Sequence, residues 1–218
     1  MVVTDVGDDS PHLPTNPITP SATSMVGVTH GAFTGYFEHI IYNEVKNMGL
    51  LSKILLLGDA RFQGRECSKE PDACFRPKLI RPYKNDWPTL VVECGVSQLL
   101  KELRKKAAWW LDNSNQEVTI VILIKVYSRK IRIEEWQWGP ITPRVTRNTP
   151  DPPDVGPKRT QWLNVNHGAQ IVATGPLTID FRKLFLRDPE DAEADILIGE
   201  EALQALASHI WSGIHERD

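Results

Sequence analysis

The chain has 218 residues, 41% of them hydrophobic and 24% charged, with a formal net charge of −3. This is enough for one sizeable core; it excludes disorder throughout and argues against a uniformly basic nucleic-acid binder. No window approaches the roughly 18 consecutive apolar residues of a membrane span, and Met1 is not followed by the basic-then-apolar order of a secretory leader. An intracellular protein, cytoplasmic or nuclear, is the expectation.

Cys67, Cys74 and Cys94 are too few for a disulfide framework, and no CxxC or HxxxH spacing points to zinc. Charge is unevenly distributed. Residues 188–201 carry seven acids and no Lys or Arg, so the rest of the chain is mildly basic. One cationic cluster is Arg76, Lys78, Arg81 and Lys84; another is Lys101, Arg104, Lys105 and Lys106.

Residues 1–28 hold four prolines between Pro11 and Pro20 and no apolar period, which predicts a disordered tail. From Thr29 to Met48 the residues Phe33, Phe37, Ile40, Ile41 and Met48 share one face of a helix, with Gly49 as the stop. Lys53 to Leu57 opens a β-rich stretch, a Gly-containing turn and the short run Asp72 to Phe75 follow, and Thr89 to Cys94 reads as a buried strand. Ser97 is expected to cap a helix through Leu99, Leu100, Leu103, Ala107, Trp110 and Leu111, ending near Asn113.

Val118 to Tyr127 is apolar on both alternating faces, as a covered central strand would be; Ile131 to Trp138 is more polar and reads as an edge-ward strand. Six prolines between Pro140 and Pro157 mark a long loop over 140–158. Trp162 to Val165 and Gln170 to Ala173 return to the sheet, and Leu177 to Phe185 and an amphipathic helix from about Glu200 to Trp211 close the domain. The expectation is one domain over 29–212, with 213–218 as a short tail: an α/β sandwich, a mixed β-sheet with helices packed on it.

Two acids stand where a packed sheet has no solubility use for them: Asp72 after Pro71, and Glu93 after Leu90-Val91-Val92. If their strands are neighbours the carboxylates converge. Two unit charges about 4 Å apart repel by roughly 4 kcal/mol at an effective dielectric of 20, a cost that a cation between them removes. Mg²⁺ suits such a site, because it accepts one or two carboxylates, keeps several waters and binds phosphate oxygens. The alternative is structural: Asp72 caps a turn and Glu93 pairs with a buried Arg or Lys. On the first helix Glu44 projects about 20° from Phe33, facing inward, while Glu38 projects about 140° away, toward solvent. On the second helix Arg104 and Lys106 lie on opposite flanks of the apolar face and are the cations able to reach the strand ends.

This arrangement resembles the PD-(D/E)XK nuclease superfamily, whose core runs helix, three strands, helix, strand. Pro71-Asp72 resembles its first acid motif and Val91-Val92-Glu93-Cys94-Gly95 its second, except that the superfamily's lysine falls at Gly95. In a restriction-endonuclease branch the lysine has moved to the following helix with an aromatic four positions on, and Lys106 and Trp110 resemble that pair.

The chain is also similar, over about residues 30–211, to uncharacterised fungal restriction-endonuclease-like proteins. The likeness lies in Pro71-Asp72-Ala73, Trp87 through Ser97, Leu103-Arg104, Trp109 through Ser114, Leu184 through Arg187, Asp195-Ile196 and Ile210-Trp211. Those relatives tend to have an acid where this chain has Lys106, which leaves Arg104 as the alternative shared cation.

The resemblance implies a restriction-endonuclease-like fold and a metal held by Asp72, Glu93 and the backbone carbonyl of Cys94. Arg104 or Lys106 would polarise the attacking water, Glu44 would orient a base or second metal, and Arg76, Lys78, Arg81 and Lys84 would hold the phosphates of DNA or RNA. A nuclease fold kept as a binding module without turnover is the competing expectation, favoured by Gly95 and the acidic segment 188–201. The tryptophans read mostly as core, with Trp109 the surplus one available for stacking on bases.

Overall fold

The structure is a computed structural model that describes residues 22–58, 60–141 and 154–215, with side chains over 31–58, 60–141 and 154–212. The tail expected over 1–28 thus falls outside the described residues up to residue 21, as do most of the proline-rich loop and the chain from residue 216. Its last part is helical: α1 spans Ala22–Asn47, starting just past Pro20, the last of the four prolines. On α1 the residues Phe33, Phe37, Ile41 and Val45 recur every four positions and are fully buried.

Seven strands form one mixed sheet: β1 (Ile54–Leu57), β4 (Ala73–Pro77), β5 (Leu90–Gly95), β6 (Ile120–Tyr127), β7 (Lys130–Pro140), β8 (Val155–His167) and β9 (Ile171–Ala173), in that spatial order. The intervening β2 (Phe62–Gln63) and β3 (Ser68–Lys69) make a small separate hairpin. All neighbouring pairs are antiparallel except β5 and β6, which run parallel because α2 (Leu100–Asn113) carries the chain between them. Helix, three sheet strands, helix, strand is therefore the observed order of the core, in an α/β fold with helices on both sheet faces.

Alternation along the strands builds two cores. One face, with Phe75, Leu90, Val92, Ile122 and Ile124, packs against α1, α3 (Phe181–Phe185) and α4 (Glu200–His215). The other, with Cys74, Val91, Val121 and Leu123, packs against Leu103, Ala107, Trp110 and Leu111 of α2. The remaining pair, β10 (Leu177–Ile179) and β11 (Ile196–Ile198), flanks α3.

Two readings change. Strand β7 is interior, between β6 and β8; its polar residues Glu134, Glu135 and Gln137 are buried and hydrogen-bonded, so polarity there marks internal networks and not solvent. Helix α2 is not capped by Ser97: Leu99 is its N-cap, without a side-chain bond, and is 59% exposed.

Buried hydroxyls tie α3 to the strand entrances. Thr89 Oγ1 donates to Leu184 O at 2.7 Å, and Thr119 Oγ1 to Lys183 O at 2.7 Å and Thr89 O at 2.9 Å. Thr89→Val should orphan the Leu184 carbonyl and lower stability by about 1–3 kcal/mol, read as a reduced urea midpoint with an unchanged slope.

Candidate functional site

Glu93 is the centre of the site. It lies in β5 on the α2 face, and is 1% exposed. Its Oε2 accepts from Lys106 Nζ at 2.5 Å and its Oε1 from Trp110 Nε1 at 2.7 Å. Lys106 and Trp110 are one helical turn apart, so a single face of α2 presents both donors. Burial pushes the Glu93 carboxyl above the usual carboxylate range; the Lys106 charge opposes that rise and the Asp72 charge adds to it.

Asp72 stands one step before the first residue of β4, at the end of the sheet where β5 finishes. The register Ala73↔Val92 leads to it directly opposite Glu93. Its Oδ2 accepts from the backbone N–H of Cys94 at 2.6 Å, fixing the carboxylate against the end of β5. The Cys94 thiol is pushed up to about 12, chiefly by burial; toward Asp72 the residue offers its backbone.

A cavity of about 410 Å³ opens beside Asp72, walled by Gly31, Thr34, Gly35, Glu38, Glu70 and Pro71. The helix acid facing Asp72 is therefore Glu38, whose carboxyl burial raises, and not Glu44, which is not among the cavity's walls. The reason is geometric: the site lies off the flank of the Phe33–Val45 stripe, in the sector of Thr34 and Glu38, where Gly31 and Gly35 leave space. Among the described residues no group of three or more His, Cys, Asp or Glu side chains is disposed to hold a metal ion. Asp72 and Glu93 are the two carboxylates whose donor type suits Mg²⁺; of the two, only Asp72 lines the cavity.

Gly95, two residues after Glu93, has a packing reason. A Cβ there would lie 3.0 Å from Leu103 Cδ1 and 3.3 Å from Gln98 Cβ, so the glycine lets α2 settle onto β5, from which Lys106 reaches Glu93. A second cation went unnoticed in the sequence. Lys125, opposite Gly95 in the β5–β6 register, is 5% exposed and hydrogen-bonds Val96 O, and burial lowers its pKa. The signal was present: a lone lysine in an otherwise apolar strand.

Arg104 does not reach Glu93. It forms a two-pronged pair with Glu134 of β7, Nε to Oε2 at 2.9 Å and Nη2 to Oε1 at 2.6 Å. Arg132 Nε and Arg159 Nη1 also donate to Glu134 Oε1, each at 3.1 Å, and Trp136 Nε1 to Oε2 at 3.1 Å. Burial would raise this fully buried carboxyl, but hydrogen bonds from Arg104, Trp136 and Arg132 outweigh it and hold the pKa at about 2.

The cluster expected to hold nucleic acid is corrected in part. Arg76 is buried, donating to Lys84 O and Asp86 O, and Arg81 braces Trp87 O and Glu117 O, so both serve the loop itself. Lys78 and Lys84 are exposed. They follow β4, whose five residues at about 3.4 Å each place them roughly 17 Å from the acids, at the other end of the strands. Trp109 is also packed, edge-on to Trp110 at 4.9 Å and near Trp87. The exposed tryptophan is Trp162, at 51%.

No protein-family model matches the chain, and no curated protein matches it. Among solved structures it is similar to a candidate nuclease of the DUF820 group from Anabaena variabilis, at 16% identity and a TM-score of 0.38. That likeness covers 48% of this chain and 61% of the other, less than two thirds of its length. What this chain does is therefore read from its own side chains. Among the described residues no helix is long and apolar enough to cross a membrane.

Gly95→Lys should force α2 away from β5 and destabilise the fold by about 1–3 kcal/mol, measured by urea denaturation. Glu134→Gln should cost about 3 kcal/mol by leaving three guanidinium groups without their shared anion. Because the folded-state pKa of Glu134 lies near 2 against an ordinary glutamate value of 4.5, its stabilisation is complete above pH 4.5 and is lost as pH falls toward 2. The Gln variant should show a flatter stability curve across that window.

Proposed function

We propose that this protein is a metal-dependent nuclease that hydrolyses phosphodiester bonds in DNA or RNA. The observation that carries the reading is the pairing of Asp72 with a buried Glu93 at the same end of adjacent strands, with Lys106 on the second carboxylate. Asp72, Glu93 and the Cys94 carbonyl would hold Mg²⁺, which when bound lowers the pKa of a water and neutralises charge on the scissile phosphate.

The chain's own groups do the rest. Trp110 fixes one Glu93 oxygen and Lys106 the other, so the carboxylate keeps one orientation and, despite burial, a partner for its charge. Lys106, whose side chain is 29% exposed, is placed to orient the attacking water and to face negative charge growing on the phosphate. Glu38, which lines the cavity beside Asp72, would be the group to accept a proton from that water. Hydrolysis joins the water oxygen to phosphorus and breaks one P–O ester bond, and the departing alkoxide takes its proton from solvent.

The non-catalytic binding module remains the second reading, favoured by one observation: both Glu93 oxygens already carry donors.

Incubating purified protein with single- and double-stranded DNA and RNA, in Mg²⁺, Mn²⁺ or EDTA, separates the two. The nuclease reading expects cleavage that EDTA abolishes and that Asp72→Asn, Glu93→Gln or Lys106→Met each reduce by about 100-fold or more. Cleavage that survives the two acid substitutions, or none with either metal on any substrate, overturns it.

A further inference from the structure

The cross-sheet register places a second feature level with the acids. Glu93 pairs with Leu123, Leu123 with Glu134, and Glu134 with Trp162, so these four residues form one transverse row on the α2 face. At about 4.8 Å per strand, Trp162 lies roughly 14 Å from Glu93 along this row.

Trp162 is 51% exposed, far more than a tryptophan needs for packing, and the Arg132 guanidinium lies 3.8 Å from its ring centroid, with Arg159 at 5.8 Å. Around it three arginines share one carboxylate. The side chains of Arg104 and Arg159 are 38% and 35% exposed, and each donates only part of its guanidinium to Glu134. Among the described residues Glu134 is the only acid within ion-pairing distance of the three, leaving two positive charges unmatched. Lys158, next to Arg159, borders a cavity of about 500 Å³ with Pro140, Ile141 and Thr160.

Stability does not call for such a surplus, since one arginine in fork geometry already satisfies a buried carboxylate. A half-exposed indole with Arg132 against its ring, Arg159 nearby and the partly solvated Arg104 on the same Glu134 matches what an unpaired nucleic-acid strand offers: bases with open π-faces on a chain of phosphates. A duplex hides its base faces and gains nothing from Trp162.

We propose that Trp162, with Arg104, Arg132 and Arg159, is a binding platform for single-stranded nucleic acid, a base stacking on the indole and the adjoining phosphates meeting the arginines. Its role as the substrate track of the Asp72–Glu93 site rests on the nuclease reading; the binding itself does not.

The test is fluorescence anisotropy in EDTA with the Asp72→Asn protein, so that failure of cleavage and failure of binding are seen separately. The probes are labelled 15-mers of oligo-dT and oligo-rU, a duplex, and an abasic deoxyribose-phosphate chain of equal length. The oligo-dT and oligo-rU arms show which sugar is preferred.

The expected result is tighter binding of at least one base-bearing single strand than of the duplex or the abasic chain. Trp162→Ala should weaken it about tenfold and Trp162→Phe should retain most of it, since any aromatic face can stack. Arg159→Gln should lower the salt slope by about one. The proposal is overturned if Trp162→Ala binds like the parent, if the abasic chain or duplex binds as well as the single strands, or if binding is weaker than about 10⁻⁴ M.

Discussion

A carboxylate moved from water into a protein interior loses several kcal/mol of hydration even after the surroundings relax, so Glu93 imposes conditions on everything near it. Those conditions are met by one helix. Trp110, fully buried, brings an indole N–H, and Lys106, a turn earlier, brings a charge. Both require α2 to lie close on β5, and that closeness is available because position 95 has no side chain to hold the helix off. The parallel pairing of β5 and β6, the approach of α2 and the burial of Glu93 are therefore one linked arrangement. An interior leucine at position 93 would pack as well at less cost, which is why the buried charge reads as function.

Glu134 shows what a structural buried acid looks like on the same sheet face. It takes hydrogen bonds from three arginines and an indole, and its pKa is held at about 2. Glu93 has one cation and one indole, and has a second carboxylate nearby; its pKa moves the other way. Hydrogen bonds from several donors outweigh burial at Glu134, whereas at Glu93 burial prevails over the single Lys106 charge. Two glutamates with one strand between them in the row are thus distinguished by how many donors meet each carboxylate.

Much of this was legible in the residues. The apolar stripe of α1, the doubly covered β6, the buried run Leu90–Cys94 and the amphipathic α2 follow from periodicity, which reports burial directly. Positions depending on how elements meet were not legible. Glu44 lies nearer the centre of the apolar stripe than Glu38, yet the cavity is at the stripe's flank, which is set by where Asp72 ends up and not by α1 itself. Strand β7 looked edge-ward because a polar residue in the interior and one in solvent read alike until its partners are known. Arg76 and Arg81 looked like a cationic surface because a sequence does not show that backbone carbonyls of the same loop consume their donors. Trp162 passed as one core tryptophan among seven for the same reason.

The two sides of the sheet end divide the charge. Toward α1 lie Glu38, Glu70 and Asp72; toward α2 lie Lys106, Lys125 and the arginines around Glu134. If the chain binds nucleic acid as proposed, the polyanion would be repelled by the first side and drawn to the second, and would approach over α2 and β8. On the proposed nuclease reading the acids would act on a phosphate only where a cation intervenes, so binding and cleavage would separate: the strand would be held by the arginines at any metal concentration, and the bond broken only once the acidic side is neutralised.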